Sequence, residues 1–316
     1  MAGKIVVLGT GGTIAGTSAV AGANVGYQAA QLGVDALLAS VPGLARAAGG
    51  ALHTEQVAQL DSKDMSHAVW SRLVERCLAH LADPAVAGIV ITHGTDTLEE
   101  TAWLLHCLLP TAKPVVLTCA MRPATALAPD GPQNLLDAVT LAAHPDARGV
   151  LLAAAGEVHG ARAASKVHPM RLHAFASDDG GPLGWVEAGQ VRWAHERPPA
   201  AAAPAFGALA QRLGGAAWPR VEIVLSHAGC DGRLVDMLVA GGVQGLVVAA
   251  TGNGTLHEQL EAALQRAAAA GVPVRVASRC PQGRMLGWEG GPLRDAGGLS
   301  PVKARISLML ELMAAQ

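Results

Sequence analysis

The sequence predicts an α/β protein of two domains: a larger amino-terminal domain built on a parallel sheet and a smaller, flavodoxin-like carboxy-terminal one. Three observations carry that expectation. Continuous Val/Ile/Leu runs alternate with helix-length segments, the mark of parallel strands covered on both faces. The alternation stops in an Ala/Pro stretch after Arg197-Pro198-Pro199 and restarts near Val221. Two of the apolar runs end in turns rich in Gly and Thr, each expected to lead on into a helix, and in open α/β sheets ligands bind at such strand ends.

Strands are expected at Lys4–Thr10, Leu52–Leu60, Gly88–His93, Pro114–Ala120 and Gly149–Ala155, and helices at about Met65–Ala82, Thr97–Leu109 and Pro132–Ala143. Val186–Val191 reads as a hairpin turning at Ala188-Gly189. Past the break, strands are expected at Val221–Ser226, Gly245–Ala250 and Pro273–Ala277, and helices at Arg233–Ala240, Leu256–Ala269 and Pro301–Ala314. The expected boundaries are residues 1–195, a linker over 196–217, and residues 218–316.

With 51% hydrophobic residues among 316, the chain supplies a sizeable core. A formal charge of −2 lacks the electrostatic footprint of a nucleic-acid or anionic-membrane binder. No apolar stretch approaches the roughly 20 residues needed to span a bilayer. The first strand starts directly after Met1-Ala2-Gly3, so a cytoplasmic protein is expected, although a trimmed periplasmic one would read the same. Cys77, Cys107, Cys119, Cys230 and Cys280 are odd in number and widely spaced, and read as buried reduced thiols.

The first glycine-rich turn is Gly9-Thr10-Gly11-Gly12-Thr13-Ile14. It imitates a dinucleotide fingerprint, but Ile14 stands where the third glycine belongs and Thr17–Tyr27 is small and uncharged, more like a lid. Nicotinamide binding is rejected on those grounds. Thr13 alone reads as a turn or cap residue. Tyr27 changes its meaning: it is the single tyrosine of the chain and falls in that loop, not in a strand. A phenol beside a threonine hydroxyl is a sensible catalytic pair.

The second turn is His93-Gly94-Thr95-Asp96-Thr97, leading into Leu98-Glu99-Glu100-Thr101. Asp96 with Glu99, or Thr97 with Glu100, has the spacing of a capping box, and both glutamates read as cap and dipole partners without a chemical role. Asp96 is also suited to bind an ammonium, and Thr95 to present an oxygen. His93 reads as support for the Gly94 turn. Lys166 has no local feature that separates it from Lys113 or Lys303.

Together the two turns resemble the bacterial-type L-asparaginase family. The likeness continues through Leu60–Met65, Ala120–Pro123, Asp130–Leu135, Gly252-Asn253-Gly254 and Pro301–Arg305, and so covers the chain in order. The resemblance implies that Thr13 is a nucleophile forming an acyl-enzyme and that Tyr27 is the lid tyrosine polarising it. It implies that Thr95, Asp96 and Lys166 assist proton transfer and the deacylating water. Ser62 and Asp96 would hold the substrate's α-carboxylate and α-ammonium, with Gly12, Gly94, Lys63, Asn253 and Thr255 on or beside the binding positions. It further implies L-asparagine as substrate, no metal or cofactor, and a homo-oligomer, dimer or tetramer, whose sites are completed by the neighbour's smaller domain.

Three departures from the family pattern are expected to alter recognition. Lys63 stands where many relatives carry glutamine or another short polar residue, and Thr255 where many carry asparagine. After Gly283 the segment is short, leaving Glu289 as the candidate for a partner-donated glutamate. A lysine near the substrate's α-ammonium must swing outward or pair with a carboxylate such as Asp64, because two like charges at about 4 Å repel by roughly 4 kcal/mol at an effective dielectric of 20. The alternatives are a dual glutaminase–asparaginase, or a non-catalytic binding protein or amidotransferase subunit. A binding-only relative is expected to lose Thr13, Tyr27 or Lys166, and all three stand.

Overall fold

A computed structural model describes residues 3–20, 22–110, 112–194, 204–288 and 293–316. The chain divides into two compact units, 1–214 and 215–316. In chain order the larger unit holds β1 (Lys4–Gly11), α1 (Val34–Ala39), α2 (Leu44–Ala48), β2 (Leu52–Leu60), α3 (His67–Ala82), β3 (Val86–Thr92), α4 (Leu98–Leu108), β4 (Val115–Thr118) and α5 (Gly131–Ala143). It continues with β5 (Val150–Ala154), β6 (Glu157–Gly160), β7 (Ser165–Lys166), β8 (Phe175–Ala176), β9 (Gly184–Glu187), β10 (Gln190–Trp193) and α6 (Gly207–Ala210).

Its main sheet runs β10-β9-β6-β5-β4-β3-β1-β2. β2, β1, β3, β4 and β5 are parallel, and β6, β9 and β10 join antiparallel. Alternate residues Ile5, Val7, Val90 and Val116 share a core with α1, α2 and α5, and their neighbours Val6, Leu8, Ile89, Ile91 and Leu117 are just as buried. Both faces are therefore covered, which is why these strands read as unbroken apolar runs. α3 is typical of the covering helices. Ser66 Oγ caps it by accepting the Val69 N–H, and Trp70, Leu73, Val74, Cys77 and Leu81 recur on its buried stripe.

Strand order also fixes where a ligand can sit. The chain passes from β1 outward to β2, then crosses back over β1 to β3 and continues the other way. The reversal leaves a crevice between the carboxyl ends of β1 and β3, the usual ligand position in open sheets.

In the smaller unit β11 (Val221–Leu225), α7 (Arg233–Ala240), β12 (Gly245–Ala250), α8 (Glu258–Ala269), β13 (Val274–Ser278), β14 (Arg294–Asp295) and α9 (Pro301–Ala314) follow one another. The four strands are parallel and lie in chain order, β11-β12-β13-β14.

Two details depart from expectation. Part of the expected linker, 196–203, lies outside the described residues, but its remainder is not bare chain. Leu209, Ala210 and Leu213 are buried at i, i+1 and i+4, α6 packs on α4, and the Phe206 N–H donates to Cys107 O at 2.9 Å. Cys280 is exposed, unlike the other four thiols, because it sits in the turn after β13, where its N–H bonds Ser278 Oγ. No helix among the described residues is long and apolar enough to cross a membrane.

Candidate active site

The turns after β1, β2 and β3 meet at the crevice, and glycine is what lets them. A Cβ on Gly12 would lie 2.4 Å from Gly94 Cα, and one on Gly94 would lie 2.5 Å from Ser62 Oγ. Gly12 also has φ +82°, a backbone state that side chains disfavour. Backbone therefore touches backbone here, and the threonines that follow each glycine are brought to one place.

After β1 the chain makes a single 3₁₀ turn, Thr13–Ala15, and not the helix its sequence suggested. The carbonyls a helix would use are taken by a returning segment: Ala30 N–H bonds Gly12 O at 3.0 Å, and Gln31 and Leu32 N–H bond Ala15 O at 2.7 and 2.9 Å. The intervening loop closes at its base, where Thr17 and Gln28 exchange two 2.9 Å backbone bonds. That closure presents Tyr27 to the turn, and its Oη lies 2.8 Å from Thr13 Oγ1. Thr13 itself is 8% exposed, so it is nearly shut off from bulk water.

After β3 the chain enters α4. The expected capping box does not form: Thr97 makes no side-chain bond to the helix, and its hydroxyl donates instead to Ser62 O at 2.8 Å. The Asp96 N–H donates to Ser62 Oγ at 3.2 Å, tying this turn to the one after β2. Lys166, on the short strand β7, donates through Nζ to Thr95 Oγ1 at 2.8 Å and Asp96 Oδ1 at 2.6 Å. Its side chain is largely buried, whereas the carboxylate of Asp96 is half exposed.

Glu99 was misread. From the first turn of α4 its carboxylate accepts the backbone N–H of Lys166 at 3.3 Å, and so holds the strand that delivers the ammonium. Nothing in local sequence signalled this, because the partner lies 67 residues away.

Beneath the turn a buried relay runs one way. Trp70 Nε1–H donates to Thr101 Oγ, Thr101 to His93 Nε2 at 2.9 Å, and His93 Nδ1–H to Gly94 O at 2.7 Å. The carbonyl of Gly94 accepts only, which fixes the tautomer. Burial pushes the His93 imidazole down to about 4, so at neutral pH it is an uncharged brace for Gly94.

Lys63 takes the second of the two courses open to it. Its side chain is mostly exposed and its ammonium pairs with Asp64 at 2.5 Å, with Asp61 at 3.8 Å. The hydrogen bond it donates to the Asp64 carboxylate holds the Lys63 ammonium above the usual lysine range. Asn253 and Thr255 belong to the smaller unit and are bonded within it. The Asn253 amide clamps the backbone of Leu286, through Nδ2 to Leu286 O at 3.0 Å and Oδ1 from Leu286 N at 2.8 Å. Thr255 Oγ1 bonds Thr251 O and Oγ1. Glu289 lies outside the described residues. Among the described residues no cluster of His, Cys, Asp and Glu has the spacing to hold a metal ion.

Two threonines, each hydrogen-bonded to a titratable side chain, thus face one crevice with a carboxylate and a buried serine. Residues 4–199 match the family described as asparaginase, N-terminal, and residues 220–316 the glutaminase/asparaginase C-terminal domain. The chain is 36% identical over 324 residues to the probable periplasmic L-asparaginase of Haemophilus influenzae, covering 98% of this chain and 88% of that one. It is 37% identical to the glutaminase-asparaginase of Pseudomonas fluorescens biotype A, covering 99% and 87% respectively. The solved structure of a probable cytoplasmic L-asparaginase from Campylobacter jejuni superposes with a TM-score of 0.90 at 35% identity, over 98% of this chain and 95% of that one. This chain belongs to the asparaginase family.

Proposed function

We propose that this protein hydrolyses the side-chain amide of L-asparagine, giving L-aspartate and ammonia by way of a threonine acyl-enzyme. The observation that carries the reading is the 2.8 Å contact between Thr13 Oγ1 and Tyr27 Oη, set beside the Lys166–Thr95–Asp96 cluster on the adjoining strand. Thr13 Oγ attacks the amide carbon as its proton passes toward Tyr27. The tetrahedral centre collapses, the C–N bond breaks, and the nitrogen takes that proton from the Tyr27 side and leaves as ammonia. Water, oriented by Thr95 and relieved of a proton through the Thr95–Lys166–Asp96 cluster, then attacks the ester, and the Thr13 oxygen departs with a proton. Ser62 and the backbone about Gly12 and Gly94 receive the α-carboxylate, and the exposed oxygen of Asp96 receives the α-ammonium. Asn253 and Thr255 lie on or beside the binding positions that the neighbour's smaller domain supplies, and within that domain they also frame the loop after β12.

The test is ammonia release from asparagine and glutamine, side by side, by purified protein. Asparagine is expected to be the better substrate; no release from either ends the proposal. A preference for glutamine would select the dual glutaminase–asparaginase reading, since one methylene alters discrimination by only about 1–3 kcal/mol.

We further propose that the protein acts as a homo-oligomer, tetrameric where its dimers pair, with the neighbour's smaller domain completing each site, and that it resides in the cytoplasm. The family resemblance supports the assembly, and light scattering on the purified protein tests it. Location is supported by the named cytoplasmic relative and opposed by the named periplasmic one.

A further inference from the structure

We infer that Thr125 is a positioning residue for Tyr27, holding the loop that presents the phenol to Thr13; this rests on the roles of Thr13 and Tyr27 proposed above. The loop has two supports. One is its base, where Thr17 pairs with Gln28, the residue next to Tyr27. The other is the segment leading to α5. There the Ser18 N–H donates to Thr125 Oγ1 at 2.9 Å, the Gly22 N–H reaches Thr125 O at 3.4 Å, and the Ala124 N–H donates to Gly16 O at 2.9 Å.

That second support is itself braced. The carboxylate of Asp130 accepts the N–H groups of Met121 and Arg122, each at 2.9 Å, and Arg122 Nη1 donates to Ala128 O at 2.9 Å. Apolar burial contributes little at the loop's outer edge: Val20 is 68% exposed, Val25 66% and Leu127 93%. Where so little apolar surface is covered, polar contacts decide how long a segment stays in place. Of those contacts the Thr125 hydroxyl belongs to a side chain, so it can be removed while the backbone bonds remain. Ser18 is next to Thr17, and Thr17 is paired antiparallel with Gln28, the neighbour of Tyr27, so losing the Ser18 anchor loosens the backbone opposite the phenol.

The experiment measures kcat and KM for asparagine in Thr125→Val, Thr125→Ser, Tyr27→Phe and the Tyr27→Phe/Thr125→Val double variant. It adds chymotryptic cleavage after Tyr27, followed by mass spectrometry in the absence of substrate. Loss of one hydrogen bond of this kind should lower kcat/KM roughly three- to ten-fold in Thr125→Val. Cleavage after Tyr27 should speed up by a similar factor, and Thr125→Ser should stay within two-fold of the parent. Because Thr125 acts through the Tyr27 hydroxyl, the valine should cost little more once Tyr27 is phenylalanine. Parental kcat/KM in Thr125→Val, failure of serine to rescue, or full additivity in the double variant overturns the inference. Parental activity in Tyr27→Phe overturns the role of Tyr27 itself, and this inference with it.

Discussion

The turn after β1 and the turn after β3 lie against each other, yet they are assembled in opposite ways. The first gathers its pair from one short stretch: Thr13 and Tyr27 are 14 residues apart, and a loop folding back on its own base is enough to join them. The second draws its partners from far along the chain, Lys166 from 70 residues away and Ser62 from 34. A locally closed pair needs few supports and is set by hydrogen bonds at an exposed loop. A distant constellation needs the whole sheet to be in register, and its members are correspondingly buried or cross-tied. The difference suits the chemistry proposed, since a loop that admits substrate has to open while the lysine's bonds to the second turn stay as they are.

The sharpest break of that comparison removes the first turn's oxygen. Thr13→Ala should abolish steady-state ammonia release, a fall of several orders of magnitude as expected for a lost nucleophile, with the melting temperature retained. Near-normal release would mean the first turn is not the reacting one.

Removing the second turn's ammonium comes next. Lys166→Met should lower kcat about 100-fold or more, on the scale of a lost proton-transfer group, with a smaller effect on KM. A variant keeping half the parental kcat would reduce Lys166 to packing.

Glu99 tests whether the second turn depends on its distant tie. Glu99→Ala should lower kcat about five-fold by freeing the Lys166 backbone, whereas Glu99→Gln keeps an acceptor oxygen and should stay near the parent. Equal losses in both would point to the charge of Glu99 and away from its hydrogen bond.

The smallest effect belongs to Lys63. Its ammonium is exposed and already paired with Asp64. Lys63→Gln should therefore lower KM no more than about two- to three-fold and leave kcat unchanged, as for other solvent-exposed charges. A large rise in KM would show that the lysine binds substrate.

Much of the fold was legible because its signals are local. The strand runs from Lys4 through Val150, the helices over 67–82, 98–108 and 131–143, and the hairpin at Ala188-Gly189 each follow from apolar periodicity or turn chemistry within a dozen residues. The pairing of Thr13 with Tyr27 was legible for the same reason: a lone tyrosine stood in a short loop beside a threonine turn. The helix expected after Thr13 does not form, because its carbonyls are claimed by Ala30, Gln31 and Leu32, which return from beyond the loop.

What the sequence by itself determined is the set of elements and the two turns, along with the residue types able to do amide chemistry in them. Tertiary structure alone decided which lysine joins them. Lys113 ends on the carbonyls of Leu81 and Asp83, and Lys303 is buried in α9, while Lys166 reaches Thr95 and Asp96. It likewise turned Glu99 from a helix cap into the tether of β7 and released Thr97 to bond Ser62. The physical reason is one of range: helix, strand and turn preferences act over a few residues, whereas a hydrogen bond between chain positions 70 apart exists only after the sheet has closed the loop between them.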